Sequence, residues 1–466
     1  MSKARKTVVL NVVALSESLI GENTPFISKW LQGAQLAKVR PELPAVTTTA
    51  QTSYLTGQKP GVHGIVANGW YFKDLCEVKF WHQSNALVQA PKIWDLAREK
   101  FDDFTCANMF CWYNMYSTAD VAVTPRPQYP ADGRKIPDIW THPRFLRESL
   151  QKDLGQFPLF KFWGPMTDLS SSNWIAAASK QVDDLQDPGL TLIYLPHLDY
   201  NLQRHGPGHP SVAKDLQEID GVVQDLVTFY EKKGAQVVLL SEYGISAADQ
   251  PVHVNRALRE GGFLQVRTEQ GHLELLDAGA SKAFAVSDHQ LAHVYVNDPA
   301  VKTEVRQVLE RLDGVGEILD KEAQKARGIA HARSGDFVLI ASRYAWFSYY
   351  YWLNDRNAPD FARTVDIHRK PGYDPVEMFF DPALRAPKLK AAWTLLKRKL
   401  GFRALMELTS LHADLIKGSH GRIPEEKGEW PVFITKSLDQ EISEEIPATE
   451  VFGLIGDHLG ADLRSR

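Results

Sequence analysis

Disulfide frameworks, membrane spans and a strong charge of either sign are all missing from this 466-residue chain. Its three cysteines, Cys76, Cys106 and Cys111, are an odd count without metal-finger spacing. That excludes a stapled scaffold and points to reduced thiols in a cytoplasm. No stretch approaches the roughly twenty apolar residues that cross a bilayer. The apolar start, Val8 to Leu15, is short, is interrupted by Asn11 and has no small-residue cleavage site behind it, so it reads as a strand and not as a secretion signal. A formal net charge of -4 offers no bulk attraction to nucleic acid or to an anionic membrane. The expectation is a cytoplasmic protein with a small-molecule partner, no nucleic acid and no membrane. There is no internal repeat and no low-complexity tract. What remains, 44% hydrophobic and 24% charged residues, is the composition of a soluble globular protein long enough for a large domain with an insertion, or for two domains.

Apolar runs alternate with helical spacing along much of the chain. Val8 to Leu15, Phe104 to Phe110, Leu190 to Leu195 and Ala235 to Leu240 read as strands; Pro25 to Ala34, Lys92 to Lys100 and Leu216 to Lys233 read as helices. Strands alternating with helices predict an α/β fold, a mostly parallel sheet sandwiched by helices, whose active site lies at the carboxyl ends of the strands. One domain over residues 1–466 is expected, with residues 71–188, rich in Trp, Tyr, Pro and Asp, as an inserted cap. A second α/β subdomain is expected over residues 246–365, where a helix and strand (VHVNRALREGGFLQV), a strand pair (AFAVSDHQLAHVYV) and an amphipathic helix (VKTEVRQVLERL) follow one another. Residues 363–437 read as loop and helix. The aromatic cluster Phe110 to Tyr116 suits a core better than a nucleobase-stacking surface, given how much area such rings bury.

The stretch PAVTTTAQTSYLTGQKPGVHGIVANGW, Pro44 to Trp70, holds three consecutive threonines, then Thr56-Gly57, Pro60 and His63-Gly64-Ile65. Threonine runs serve strands and helix caps in most proteins. Here the spacing resembles the nucleotide pyrophosphatase/phosphodiesterase branch of the alkaline phosphatase superfamily, in which a nucleophilic threonine is followed nine residues later by Thr-Gly and then by Pro and His-Gly-Ile. The resemblance implies that Thr47 is the nucleophile. It also implies that Asn68, about twenty residues downstream, binds substrate by donating to a non-bridging phosphate oxygen. A threonine hydroxyl is a poor nucleophile at neutral pH, so the family's chemistry uses two divalent metal ions about 4 Å apart, usually zinc, with manganese or magnesium as alternatives.

At the ligand positions the resemblance implies, the chain departs from the pattern. The aspartate that should end the first strand is replaced within Val13-Ala14. The Asp and His spaced i,i+4 ahead of Gly-Pro correspond to Asp199 and Gln203, before Gly206-Pro207. The Asp-His after the Val237 to Leu240 strand corresponds to Glu242-Tyr243, and the last histidine, in a Gly-x-His-Gly turn, to His420. Gln and Tyr are weak zinc ligands beside His and carboxylate. Two further imidazoles are candidates to rebuild the site: His197, on the same face as Asp199 if that stretch is extended, and His368. The candidate ligand set is therefore Asp199, Glu242, His420, His368 and His197, for one or two ions. Asp288-His289 and His293 read instead as strand-end residues. Arg369, beside Lys370, is a candidate clamp for phosphate oxygens. TTTAQTS lacks the Cys/Ser-x-Pro-x-Arg context of a sulfatase. The expected activity is metal-dependent cleavage of a phosphoester or pyrophosphate bond through Thr47; the alternative is a catalytically degenerate phosphate-ligand binding protein on the same fold.

Overall fold

A computed structural model describes residues 3–131, 133–438 and 440–464. In chain order the strands that build its two main sheets are β1 (Thr7–Val12), β2 (Gln35–Arg40), β3 (Cys106–Met109), β4 (Val121–Pro125), β5 (Ile139–His142), β6 (Leu190–Leu195), β7 (Gln236–Leu240), β8 (Ala283–Asp288), β9 (Leu291–Val296), β10 (Val315–Leu319), β11 (Phe337–Ala341), β12 (Val432–Thr435) and β13 (Glu445–Pro447). The large sheet has nine strands in the order β13-β2-β12-β7-β1-β6-β3-β4-β5. Its centre, β7-β1-β6-β3-β4, is parallel, and antiparallel pairings enter on either side at β12 and β5.

β1 and β6 are buried along their whole length, because helices cover both faces of a parallel sheet and leave no alternation with polar residues. The helices that matter below are α1 (Pro25–Leu31), α2 (Thr47–Thr56), α3 (Ser170–Gln186), α4 (His197–His205), α5 (Val212–Lys232), α6 (Pro387–Lys399) and α7 (Glu450–Leu459). α5 buries an apolar face of Leu216, Ile219, Val223, Leu226 and Val227. The Asp220 carboxylate beside that face accepts from the Phe26 and Ile27 amides, both 2.8 Å, at the open amino end of α1.

Residues 71–188 do more than cap the sheet. They supply β3, β4 and β5, one end of the large sheet, and α3, which packs on β6. Residues 246–365 form the antiparallel sheet β8-β9-β11-β10 with helices over Val254–Glu260 and Lys302–Glu310, around a second hydrophobic cluster that also takes in Trp70, Trp81 and Trp112. The β8–β9 hairpin and the carboxyl ends of β6 and β7 meet around Thr47.

Candidate active site

Every residue of α2 is buried although six of its ten residues are Thr or Ser and one is Gln. Such a helix can only be inserted if its hydroxyls find partners inside. Thr52 and Thr56 donate back to the carbonyls of Thr48 (2.6 Å) and Thr52 (2.7 Å), four residues earlier. Thr48 and Thr49 donate to the carbonyls of Ala67 (3.0 Å) and Ile65 (3.1 Å). Thr47 differs from its neighbours: its Oγ1 lies 3.2 Å from the hydroxyl of Tyr243 and lines a cavity. Gly57 ends the helix in the left-handed region (φ +65°), where a Cβ would also meet the Phe452 ring at 3.0 Å.

Tyr243 follows β7 and reaches back over the sheet. Its hydroxyl donates to Asp199 Oδ1 at 3.1 Å, and Asp199 Oδ2 accepts from Gln203 Nε2 at 2.8 Å. A phenol has one proton, so donation to Asp199 leaves its oxygen to accept from Thr47. The result is a directed chain, Thr47 to Tyr243 to Asp199. Gly244 has no room for a side chain, since a Cβ there would fall 1.7 Å from the Glu429 carbonyl oxygen. Burial raises the Asp199 carboxyl to about 6 and holds the Tyr243 phenol well above its ordinary range. Glu242, fully buried, has its Oε1 held by the amides of Asn11 and Gln51. Burial pushes that carboxyl to about 8, and its Oε2 has no hydrogen-bond partner.

Two imidazoles complete the cavity. His420 Nδ1 is 2.8 Å from the Ala45 carbonyl, so that nitrogen carries the proton and Nε2 is bare. Its ring is stacked on Tyr243, and the His289 ring lies 3.8 Å away, centroid to centroid. Burial lowers both imidazoles, His420 to about 3, and keeps them neutral. His289 sits at φ +58° in the two-residue turn between β8 and β9, which aims its ring at the cavity; its Nδ1 is buried without a partner. One residue earlier, Asp288 accepts from the Asn68 amide nitrogen (2.8 Å) and Nδ2 (3.1 Å), while Asn68 Oδ1 accepts from the Thr48 amide at 3.1 Å. Asn68 is thus fixed at the amino end of α2, and burial raises Asp288 to about 7. The remaining walls are aromatic: Trp81, Trp112, Phe162, Trp163, Tyr194 and Tyr373 among them. The enclosed space is about 40 Å³, room for roughly three waters.

The structure therefore gathers Thr47, Asp199 and His420 around the Tyr243 hydroxyl and ring, with Glu242 behind them and Asn68 at the helix end. It does not bring His197, His368 or Arg369 there. His197 opens α4, and two residues along a helix point about 200° apart, so Asp199 faces the cavity while His197 faces α5. The extended geometry that would align them is absent. His197 Nε2 lies 3.0 Å from Glu218 and 3.7 Å from Asp215. Its neighbours Asp199 and Gln203, spaced i,i+4, do share a face. His368 packs beside Tyr129, and Arg369 is half-exposed against Asp366 at 3.7 Å. Lys370 is fully buried and paired with Glu377 at 2.8 Å and Asp374 at 3.7 Å. The sequence reading set His289 aside as a strand-end residue; it does lie just past the end of β8, and from there it lines the cavity. In the aromatic run, Trp112 lines the cavity while Phe110 packs in the core against Phe157.

The family model for type I phosphodiesterase / nucleotide pyrophosphatase matches residues 7–374. The chain belongs to the type I phosphodiesterase/nucleotide pyrophosphatase family, a phosphoester hydrolase family of the alkaline phosphatase superfamily. The fold has matches among solved structures. Murine ectonucleotide pyrophosphatase/phosphodiesterase 5, an inactive form in complex with AMP, aligns with a TM-score of 0.60 at 13% identity, over 98% of this chain and 95% of that one. The human protein of the same name aligns at 0.61 and 12%, over 98% and 95%. Phosphonoacetate hydrolase from Sinorhizobium meliloti 1021, in complex with phosphonoformate, aligns at 0.58 and 14%, over 99% and 100%. No curated protein sequence matches the chain at a significant level.

The family works with divalent metal ions. The residues around Thr47 do not fit a two-ion centre. Val13 is aliphatic and buried, Gln203 offers its amide to Asp199, and Glu242 has one oxygen taken by Asn11 and Gln51, so that only its Oε2 is left to ligate. The Tyr243 hydroxyl stands between Thr47 and Asp199, where an ion would have to meet both. Among the described residues, the one group of three His, Cys, Asp or Glu side chains close enough to share an ion is His197, Asp215 and Glu218, outside this cavity.

Proposed function

We propose that this member of the family binds a phosphate-sized anion, the phosphoryl end of a small phosphoester, at the Thr47 cavity, whose enclosed 40 Å³ does not admit a nucleoside, and that two-metal phosphoryl transfer has been lost there. The observation that carries the proposal is the Tyr243 hydroxyl bridging Thr47 and Asp199 at 3.2 and 3.1 Å. The amino end of α2 supplies the polarity that an anionic oxygen needs, while Asn68, expected to donate to that oxygen, gives its Nδ2 to Asp288 and instead holds the helix end in place. The aromatic walls narrow the enclosed space and keep water from it. Metal-dependent hydrolysis through Thr47, with zinc as the expected ion, finds little support in this donor set. A cytoplasmic setting rests on the three unpaired cysteines, two of them buried.

A second reading keeps hydrolysis through Thr47 without an ion. It is favoured by the direction of the hydrogen-bond chain, along which the Thr47 proton can pass to Tyr243 as the Tyr243 proton passes to Asp199, a carboxyl raised to about 6. The test is calorimetric titration with inorganic phosphate and release of p-nitrophenol from its phosphate mono- and diesters, with zinc, manganese, magnesium or a chelator. The binding reading expects phosphate binding and no turnover under any metal condition. Chelator-resistant turnover abolished in both Thr47→Ala and Tyr243→Phe supports the second reading. Turnover that requires a metal ion overturns both.

A further inference from the structure

The chain leaves the α/β body at an isolated antiparallel bridge, Phe380 to Thr409, tied by the Asp381 amide to the Leu408 carbonyl at 2.8 Å. Between these points it makes an excursion built on α6. At about 100° per residue, Leu389, Trp393, Leu396 and Leu400 fall on one narrow stripe. That stripe faces water: the four side chains are 72, 57, 45 and 66% exposed, and Phe402 (65%) and Leu405 (42%) extend the apolar surface. The one buried residue of α6, Thr394, lies on the opposite side. The helix therefore rests on the protein by its polar face and presents its apolar face outward, the reverse of a helix that serves a core.

The charges around the stripe are predominantly positive. Lys388 and Lys399 flank it on one side, Lys390 and Lys397 on the other, and Arg385, Arg398 and Arg403 lie in the same excursion. Against these seven cations stand two carboxylates at the ends of the excursion, Asp381 and Glu407, the latter 3.8 Å from Lys390, although the whole chain carries a net charge of -4. The cations are concentrated where the exposed apolar side chains are. Pairing two copies stripe to stripe would set these lysine rows against each other. A bilayer surface with anionic headgroups satisfies both halves of the pattern: apolar side chains enter the acyl boundary, Trp393 lies at headgroup level, and the lysines meet phosphate. No helix among the described residues is long and apolar enough to cross a membrane, so the contact is one of lying on it.

We propose that α6 and the following Phe402 and Leu405 form a docking surface for a membrane containing anionic lipid. The inference is independent of what the Thr47 cavity binds. Ile367 and Tyr373, which line that cavity, precede the excursion in the chain.

Co-flotation of the full chain with vesicles tests it, using phosphatidylcholine alone and phosphatidylcholine mixed with phosphatidylglycerol, at low and high salt. The expected result is binding to the anionic vesicles at low salt, weakened by salt and reduced about tenfold or more in Trp393→Glu/Leu396→Glu and in Lys388→Glu/Lys399→Glu. These positions are exposed, so both variants should melt at the wild-type temperature. Failure of the wild-type chain to float with anionic vesicles overturns the proposal, as does binding that both variants retain. So does a wild-type dimer in light scattering that Trp393→Glu/Leu396→Glu makes monomeric without any vesicle binding.

Discussion

The Tyr243 ring lies flat on the His420 imidazole, with centroids 3.7 Å apart and planes 3° from parallel. A residue carrying this stack fixes the position of its own hydroxyl as well. The hydroxyl is therefore held in place between Thr47 and Asp199 by ring packing as much as by its hydrogen bonds.

Removing that hydroxyl should be felt at Asp199. In Tyr243→Phe the ring stack survives, but of the two side chains that donate to the buried carboxylate only the Gln203 amide is left. The expected cost is about 1–3 kcal/mol, since a buried charged acceptor loses one of its hydrogen bonds. It should be larger at pH 8, where Asp199 is ionised, than at pH 5, where it is protonated. Urea unfolding at the two pH values measures it.

Metal binding should be recoverable. Gln203→His together with Tyr243→His places one imidazole four residues after Asp199 on the same face of α4 and another beside Glu242, with His420 already at hand. The double variant is expected to retain zinc through gel filtration, read by elemental analysis, while the unaltered chain and a His420→Ala version of the double variant retain none at the cavity. Because His197, Asp215 and Glu218 could hold an ion elsewhere, a His197→Ala background isolates the effect.

The wall of the cavity depends on a buried ion cluster. Lys370 is fully buried between Asp374 and Glu377, and Tyr373, next to Asp374, lines the cavity. Lys370→Met leaves two buried carboxyls without their cation and should cost about 3–5 kcal/mol at neutral pH. Acid should restore part of the loss by protonating Asp374 and Glu377, whose carboxyls burial already raises. Thermal melts of the variant and the unaltered chain at pH 5 and pH 7.5 show whether the gap narrows.

Stability should peak near pH 6.5 and fall on both sides. His63 and His420 are lowered to about 3, and His253, His293, His368 and His458 to about 4, all chiefly by burial. Below their unfolded value of about 6.5 the unfolded chain binds protons that the native chain does not, so stability drops as pH falls from 6.5 toward 4. Asp288 and Glu242 are raised to about 7 and 8, so the native chain holds protons that the unfolded chain has already released. Their contribution drains as pH rises toward 8. Between pH 4.5 and 6.5 the two effects oppose each other, and the six histidines outweigh Asp199, Asp288 and Glu242. Unfolding midpoints from pH 4.5 to 8.5 test the shape; a curve still rising at pH 8 would contradict the buried, protonated carboxyls.

The readable parts of this fold are those whose local pattern has one solution. Leu190–Leu195 is a continuous apolar run, and it is a central strand with those limits. The short strands Val121–Pro125 and Ile139–His142 sit among Trp, Pro and Asp residues that suggest loop, and only their partners in the sheet define them. Thr47 stands out by motif spacing, and packing separates it from Thr48 and Thr49, whose hydroxyls go to carbonyls. His197 depended on backbone conformation: two residues apart means one face on a strand and opposite faces on a helix. His289 depended on a left-handed backbone angle that no residue pattern announces. The α6 stripe has clear helical spacing, but which way it faces is decided by the rest of the molecule.

The helix that carries Thr47 is buried along its whole length. Its amides can exchange with deuterium only when the surrounding body opens, so they should be among the slowest in the chain, and slower than those of the exposed α6. The hydroxyl at the centre of the cavity is then mounted on a segment that should be among the last to open.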